Sequence, residues 1–179
     1  MVLLHSSPTN TAFTAPDFKL FYPRFEEQIT LADARGNHGT VVAFICNHCP
    51  FVHHINMTLR QLAEEFMPLG VGFVGVSSND AEAYSDDSPE KMAEASYPFP
   101  YLYDASQDIA KAYGAVCTPD FFVFDAEDTL MYRGRLDAST PGNGVQPSGD
   151  EMRTALWALV NGSEMPESQP SMGCSIKWK

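Results

Sequence analysis

The sequence predicts an α/β fold in which helices flank a central mixed β-sheet. Segments with strand and helix patterns alternate along the chain, an order typical of βαβ units. Residues 41–45 form a continuous apolar run, which suits a strand buried on both faces. Residues 51–67 then place apolar side chains at helical spacing. A hairpin pattern and a closing amphipathic helix complete the chain.

The individual elements follow from local signals. Ser88 is suited to cap a helix that opens with Pro89, and Gly114 is suited to end a later helix. The predicted elements in order are strands 18–21 and 29–31, a turn at 35–39, strand 41–45, helix 51–67, strand 71–76, a short helix from 88, strand 99–103, helix 106–113, hairpin strands 121–124 and 129–136, and helix 148–160.

The length of 179 residues fits one domain, which we expect to span residues 16–163. Residues 1–15 are polar and interrupted by proline, so they are predicted to form an N-terminal arm. Residues 164–179 form a predicted C-terminal tail. Because Ile176 and Trp178 alternate there with lysines, the tail is expected to be ordered against the acidic body.

Composition excludes several classes of function. Apolar residues make up 44% of the chain, which rules out intrinsic disorder. The net charge of −12 argues against nucleic acid and anionic membrane surfaces as partners. No apolar run approaches the roughly 18 residues of a spanning helix, and the start lacks the basic region of a secretory signal. The sequence therefore predicts a soluble, cytoplasmic protein.

The strongest chemical signal is the motif Cys46-Asn47-His48-Cys49-Pro50, between the buried strand and a helix. A cysteine at a helix N-terminus meets unpaired N–H groups and the positive end of the dipole, which favour thiolate. Cys46 is therefore the predicted nucleophile, and Cys49, one turn later, would attack the mixed disulfide that Cys46 forms. His48 adds a titratable donor that should favour the thiolate form.

A zinc site is the alternative interpretation of this motif. Cys46, Cys49 and His53 could supply three ligands, but the second pair of ligands that a structural zinc site needs is missing. His53 and His54 are more simply explained as a helix surface. The sequence therefore predicts no metal and no cofactor.

A second signal is Thr118-Pro119, just before a predicted strand, where proline suits a tight and cis turn. With the segment Ala15-Pro-Asp-Phe-Lys-Leu and the cysteine motif, it resembles the thioredoxin superfamily, in its redoxin and TlpA-like branch. A group of small bacterial thioredoxin-family proteins is similar over nearly the whole chain, through Phe44-Ile-Cys-Asn-His-Cys-Pro, Cys117-Thr-Pro-Asp-Phe-Phe, Tyr132-Arg-Gly-Arg-Leu-Asp and Gly173-Cys-Ser-Ile-Lys-Trp-Lys.

The resemblance implies a thioredoxin-like sandwich over residues 15–163. It also implies a cis Thr118–Pro119 bond that faces the two sulfurs and holds a partner's extended backbone. The chain departs from ordinary thioredoxin in the Asn-His spacer and in Ile45 before the first cysteine. Strand 41–45 has no acidic residue to accept a proton, so the direction of electron flow stays open.

The predicted function is a thiol–disulfide oxidoreductase that exchanges disulfides with protein partners, with an unspecified electron donor. A peroxidase of the peroxiredoxin type is the first alternative, although Ala43 stands where that family's motif has threonine. A copper-binding protein of the Sco type is the second. Those proteins carry three residues between their cysteines and a distant histidine, whereas this chain has two residues and no histidine after His54.

The four thiols are expected to differ in exposure and reactivity. Cys46 should be the solvent-facing thiol of low pKa, and Cys49 the buried one. Cys117 precedes Thr118, and because neighbours in an extended chain point to opposite faces, Cys117 should point into the interior. We expect neither Cys117 nor Cys174 to be required for disulfide exchange.

Overall fold

The computed structural model describes residues 2–7 and 12–179 and contains two β-sheets. The larger sheet has seven strands in the order β3-β2-β6-β5-β4-β8-β9 and is mixed, as predicted. Its strands are β2 Lys19–Tyr22, β3 Glu27–Thr30, β4 Gly39–Phe44, β5 Val71–Ser77, β6 Tyr101–Tyr103, β8 Asp120–Asp125 and β9 Leu130–Gly134. The smaller sheet has the order β1-β10-β7, with β1 Leu3–His5, β7 Cys117–Thr118 and β10 Met172–Ser175.

Helices cover both faces of the larger sheet. They are α1 Leu31–Ala34, α2 Pro50–Phe66, α3 Pro89–Glu94, α4 Asp108–Tyr113 and α5 Asp150–Asn161, with short 3₁₀ turns at Met67–Leu69 and Ser85–Asp87. Ser88 caps α3, and Gly114, at a φ of 65°, ends α4 as predicted. No helix in the described residues is long and apolar enough to cross a bilayer.

Strand β4 lies at the centre of the larger sheet. It runs parallel to β5 and antiparallel to β8, and all six of its residues are buried. Its alternate side chains supply two cores, with Val41 and Ala43 on one face and Val42 and Phe44 on the other. The predicted doubly buried strand is confirmed. Cys46 lies just beyond its C-terminal end, before α2 begins.

The two chain ends pair with each other. Strand β1 lies antiparallel to β10, with Leu3 opposite Cys174. The segments predicted as an arm and a tail therefore each contribute a strand, although residues 8–11 of the arm lie outside the described part of the chain. Ile176 is buried and Trp178 is exposed, so the tail is ordered with only part of its predicted apolar edge covered.

Candidate active site

The cysteine motif forms the junction between β4 and α2. Cys49 is the N-cap residue of α2, and exposed Pro50 occupies the first turn, where its missing N–H costs no helical hydrogen bond. The backbone N–H of His53 donates to the Cys49 carbonyl at 3.0 Å. This arrangement places both sulfurs at the positive end of a 17-residue helix.

The Cys46 sulfur lies between the motif and the Thr118–Pro119 loop. Its Sγ is 3.3 Å from Thr118 Oγ1 and 4.0 Å from His48 Nδ1. Cys46 also lines an open depression whose rim includes Arg60, Lys91, Glu94 and Tyr97. Cys46 is only 1% exposed, so the sulfur forms part of the floor of this depression.

The Cys49 sulfur lies on the other side of the motif and contacts a third thiol. Cys49 Sγ is 3.2 Å from the Thr118 carbonyl oxygen and 3.0 Å from Cys174 Sγ. Cys49 and Cys174 are 0% and 1% exposed. The sequence indicates no connection between Cys174 and the motif, because 125 positions separate the two residues and only the pairing of β10 joins them.

The two motif cysteines differ in acidity, and the order is the reverse of the expected one. The hydrogen bond from Cys46, with others from Cys174 and backbone N–H groups, lowers the pKa of Cys49 to about 4. The same Cys46–Cys49 bond, burial and the charge of Asp87 raise the pKa of Cys46. Both sulfurs are buried, so the expectation of a solvent-facing Cys46 is wrong, and the raised pKa of Cys46 runs against the low value expected for it.

A buried carboxylate, Asp87, holds the spacer residues of the motif. It is 0% exposed and accepts from the backbone N–H of Asn47 at 2.7 Å and of His48 at 3.2 Å. It also contacts His48 Nδ1 and accepts from Asn79 Nδ2. The predicted supporting residues Asn47 and His48 thus act as one unit with Asp87. The sequence contains no signal for this carboxylate, which comes from the 3₁₀ turn at Ser85–Asp87.

Further contacts fix the spacer side chains. The Asn47 side-chain amide donates to the Asp86 carbonyl at 2.8 Å, and the Tyr101 hydroxyl donates to Asn47 Oδ1 at 3.2 Å. The His48 ring stacks on Tyr84 with centroids 5.2 Å apart. His48 Nδ1 thus contacts Asp87 and also lies 4.0 Å from Cys46 Sγ.

Three groups at this site could hold a cation. Cys46 Sγ, a His48 ring nitrogen and an Asp87 oxygen lie within 4.8 Å of one another, a donor set that suits zinc or copper. The alternative zinc ligand His53 instead contacts the Asn47 carbonyl oxygen from the exposed surface of α2. Since protein donors already contact both Asp87 oxygens, a cation would have to displace them.

We expect Asp87→Asn to lower the pKa of Cys46. The substitution removes the negative charge that disfavours the Cys46 thiolate and keeps an oxygen that can accept hydrogen bonds. The rate of Cys46 alkylation by iodoacetamide, followed by peptide mass spectrometry, should therefore rise at lower pH than in the wild type. Asp86→Asn is the matched control, because Asp86 is adjacent and exposed. The assigned role of Asp87 would be contradicted if both variants shifted the pH dependence of Cys46 alkylation equally, or if Asp87→Asn shifted it to higher pH.

The Thr118–Pro119 bond is cis, as predicted, and lies opposite the two cysteines. The backbone of β7, the strand that precedes this bond, is already paired with another strand of the chain. Strand β10 pairs antiparallel with β7, with Cys174 opposite Thr118, and the Ile176 N–H donates to the Val116 carbonyl at 2.9 Å. Because hydrogen-bonded pairs alternate along such a ladder, the Thr118 backbone faces Cys174. The implied role of this edge in holding a partner's backbone is therefore filled by the chain's own tail.

Cys117 faces away from this cluster. It is 0% exposed, as predicted, and burial raises its pKa. Its sulfur is 4.0 Å from the Pro119 carbonyl oxygen, the hydrogen-bonding contact that the structure gives it. Cys117 is therefore suited to packing rather than to thiol chemistry.

Comparison with known proteins places this geometry in a family. Residues 12–133, which include the cysteine motif and the cis-proline loop, match the AhpC/TSA family. The chain belongs to the AhpC/TSA family. No curated protein matches the chain.

Several solved structures are similar to this chain over most or all of its length. An uncharacterized conserved protein from Geobacillus kaustophilus is 47% identical, with a TM-score of 0.97 over 100% of this chain and 97% of its own. A hypothetical protein from Sinorhizobium meliloti is 40% identical, with a TM-score of 0.94 over 98% of each chain. A putative thiol:disulfide interchange protein DsbE from Chlorobium tepidum is 18% identical, with a TM-score of 0.65 over 86% of this chain and 99% of its own.

These likenesses establish the fold class. The AhpC/TSA match and the fold shared with the C. tepidum structure confirm the predicted thioredoxin-like sandwich of the redoxin and TlpA-like branch. The start of α2 presents Cys46 and Cys49 at a helix N-terminus, an arrangement that is suited to thiol-based redox chemistry.

Proposed function

We propose that this AhpC/TSA protein is a thiol–disulfide oxidoreductase that exchanges disulfides with protein partners through Cys46 and Cys49. The observation that carries the proposal is the placement of Cys46 and Cys49 at the start of α2 and opposite Thr118, with Cys46 lining a surface depression. Only Cys46 of the two lines this depression, so Cys46 would meet the partner's disulfide and Cys49 would resolve the product.

The exchange would begin with a proton transfer between the two cysteines. Transfer of this proton from Cys46 to the Cys49 thiolate generates the Cys46 thiolate. That thiolate attacks one sulfur of the partner's disulfide, forming a Cys46–partner bond and releasing the partner's other sulfur as a thiolate, which takes up a proton. Cys49, deprotonated again, attacks Cys46 Sγ and releases the second partner thiolate. The partner gains two electrons, and Cys46–Cys49 becomes a disulfide.

Partner binding would rely on the depression rather than on strand addition beside Thr118, because β10 occupies that edge. The rim carries the guanidinium of Arg60, which stacks over the Tyr97 ring at 4.6 Å, and the exposed side chains of Lys91 and Glu94. Such a mixed polar and aromatic rim suits a protein surface as a substrate. A cytoplasmic location and the absence of a cofactor stay predictions.

A peroxidase is the second candidate, favoured by the lowered pKa of Cys49, since thiolate is the form that attacks peroxide. The thiolate would attack one peroxide oxygen, giving a sulfenic acid at Cys49 and releasing water or alcohol. Cys49 is 0% exposed, however, so peroxide in the solvent has no direct access to its sulfur.

The two candidates differ in measurable turnover. The wild type should accelerate the reduction of insulin disulfides by dithiothreitol, and Cys46→Ala should reduce the rate to that of the uncatalysed reaction. Cys117→Ala is the control, because this buried thiol lies outside the proposed exchange and should leave the rate unchanged. Consumption of hydrogen peroxide is measured in parallel with the same three proteins. Peroxide turnover without insulin reduction would favour the peroxidase and refute the proposed exchange.

A further inference from the structure

The third thiol of the cluster is held in place by its strand. Strand β10 is paired on both edges, with β1 through Leu3 opposite Cys174 and with β7 through Thr118 opposite Cys174. Its neighbour Gly173 packs so closely that an added Cβ would lie 1.9 Å from the Thr118 carbonyl oxygen. The Cys174 sulfur is thereby fixed 3.0 Å from Cys49 Sγ.

We propose that Cys174 is a third redox thiol, which takes over the disulfide from Cys46–Cys49 and forms a buried Cys49–Cys174 disulfide. The inference rests on the proposed function, since the Cys46–Cys49 disulfide is its starting point. A bond needs the two sulfurs to approach by only about 1 Å, because S–S bonds are about 2.05 Å long.

The step is an internal thiol–disulfide exchange and needs no further oxidant. The Cys174 thiol loses its proton, and its sulfur attacks Cys49 Sγ. The Cys49–Cys174 bond forms as the Cys46–Cys49 bond breaks, and Cys46 leaves as a thiolate that takes up the proton. The number of disulfides is unchanged, and the oxidised protein again carries a free thiol at Cys46.

The consequence is a change in where the oxidised pair lies. In Cys46–Cys49, one sulfur lines the depression and is open to attack by a partner thiol. In Cys49–Cys174, neither sulfur lines the depression, so the disulfide is reduced only through Cys46. We expected neither Cys117 nor Cys174 to be required for disulfide exchange. The proposal gives Cys174 a part in the exchange and leaves the expectation for Cys117 unchanged.

The test is a disulfide map of the oxidised protein. The folded full-length protein is oxidised with glutathione disulfide, free thiols are blocked with N-ethylmaleimide at acidic pH, and linked peptides are identified by mass spectrometry. We expect a Cys49–Cys174 linkage and N-ethylmaleimide on Cys46. In Cys174→Ala, the label on Cys46 should be lost, because only the Cys46–Cys49 disulfide can form. Cys117→Ala is the matched control and should give the wild-type map.

A second variant, Gly173→Ala, keeps all four cysteines and is designed to displace only strand β10. Gly173→Ala should displace β10 through the contact with Thr118, so the Cys49–Cys174 linkage should be lost while Cys46–Cys49 remains. A wild-type map that contains only Cys46–Cys49 would overturn the role of Cys174 and leave the proposed function intact. A wild-type map with no disulfide between these cysteines would overturn both.

Discussion

With Cys49 replaced by serine, partner proteins should remain attached to Cys46 as mixed disulfides. The substitution removes the sulfur that would release the partner, and Cys46 keeps its place on the floor of the depression. With Cys46→Ser, such adducts should not form, because neither Cys49 nor Cys174 lines the depression. The adducts are measured on non-reducing gels after acid quenching and are identified by mass spectrometry.

Cys117→Ser serves as the control for this trapping experiment, since it also exchanges a buried sulfur for an oxygen but lies outside the proposed exchange. It should trap no partners and should leave turnover intact. Equal trapping by Cys49→Ser and Cys46→Ser would refute the division into nucleophile and resolving cysteine. Trapping by Cys46→Ser alone would reverse the two roles and would point to the Cys49 thiolate as the attacking group.

The largest effect on stability is expected from Arg133→Met. Arg133 Nη2 donates to Asp120 Oδ2 at 2.9 Å, and both side chains are nearly inaccessible, at 7% and 0% exposed. Removal of one partner leaves the other charge buried and uncompensated, which typically costs about 3–5 kcal/mol. The free energy of unfolding, measured by urea denaturation at pH 7.5, should fall by about this amount. Methionine keeps much of the packing of the arginine stem.

Arg153→Met is the matched control, because the Arg153–Glu65 pair is about one-third exposed on each side. Exposed pairs contribute about 0–1 kcal/mol, so this variant should lose little stability. An equal loss in the two variants would contradict the buried-pair argument.

The cost of Arg133→Met should also depend on pH. Burial raises the pKa of Asp120 to about 6 even with Arg133 beside it, against an unfolded value of about 3.9. The stability that a raised carboxyl pKa contributes is present below about pH 4 and is lost as the pH rises through about 6. Without Arg133 the pKa should rise further, so at pH 5 the variant's Asp120 is protonated and the loss of stability is smaller. A constant loss between pH 5 and 7.5 would contradict this assignment.

The sequence was informative wherever a signal is local. The apolar run of β4, the capping residues Ser88 and Gly114, and the proline in Thr118–Pro119 each act through their immediate neighbours, and their elements appear as predicted. The cysteine motif is local in the same sense, so its position at the start of α2 could be predicted.

The missed features depend on contacts between distant parts of the chain. Asp87 reaches Asn47 across 40 positions, and Cys174 reaches Cys49 across 125. Asp87 stands in no pattern that sets it apart from an exposed carboxylate, and the similar segment that contains Cys174 gives no sign of what this cysteine contacts. The raised pKa of Cys46 was missed for the same reason. The helix dipole is visible in the sequence, whereas the causes that raise this pKa, namely the interaction with Cys49, burial and the charge of Asp87, depend on the folded structure.

The most direct test of the account is a redox titration of the wild type in glutathione or dithiothreitol buffers of stepped potential, with peroxide turnover measured in parallel. Thiols are alkylated at each step and counted by intact mass. We expect one two-electron transition that converts two of the four thiols to a disulfide, its loss in Cys49→Ala, which removes the sulfur common to both proposed disulfides, and no peroxide turnover. Peroxide turnover with a stable sulfenic acid, and no dithiol–disulfide transition, would contradict the central claim that Cys46 and Cys49 form an exchangeable redox pair.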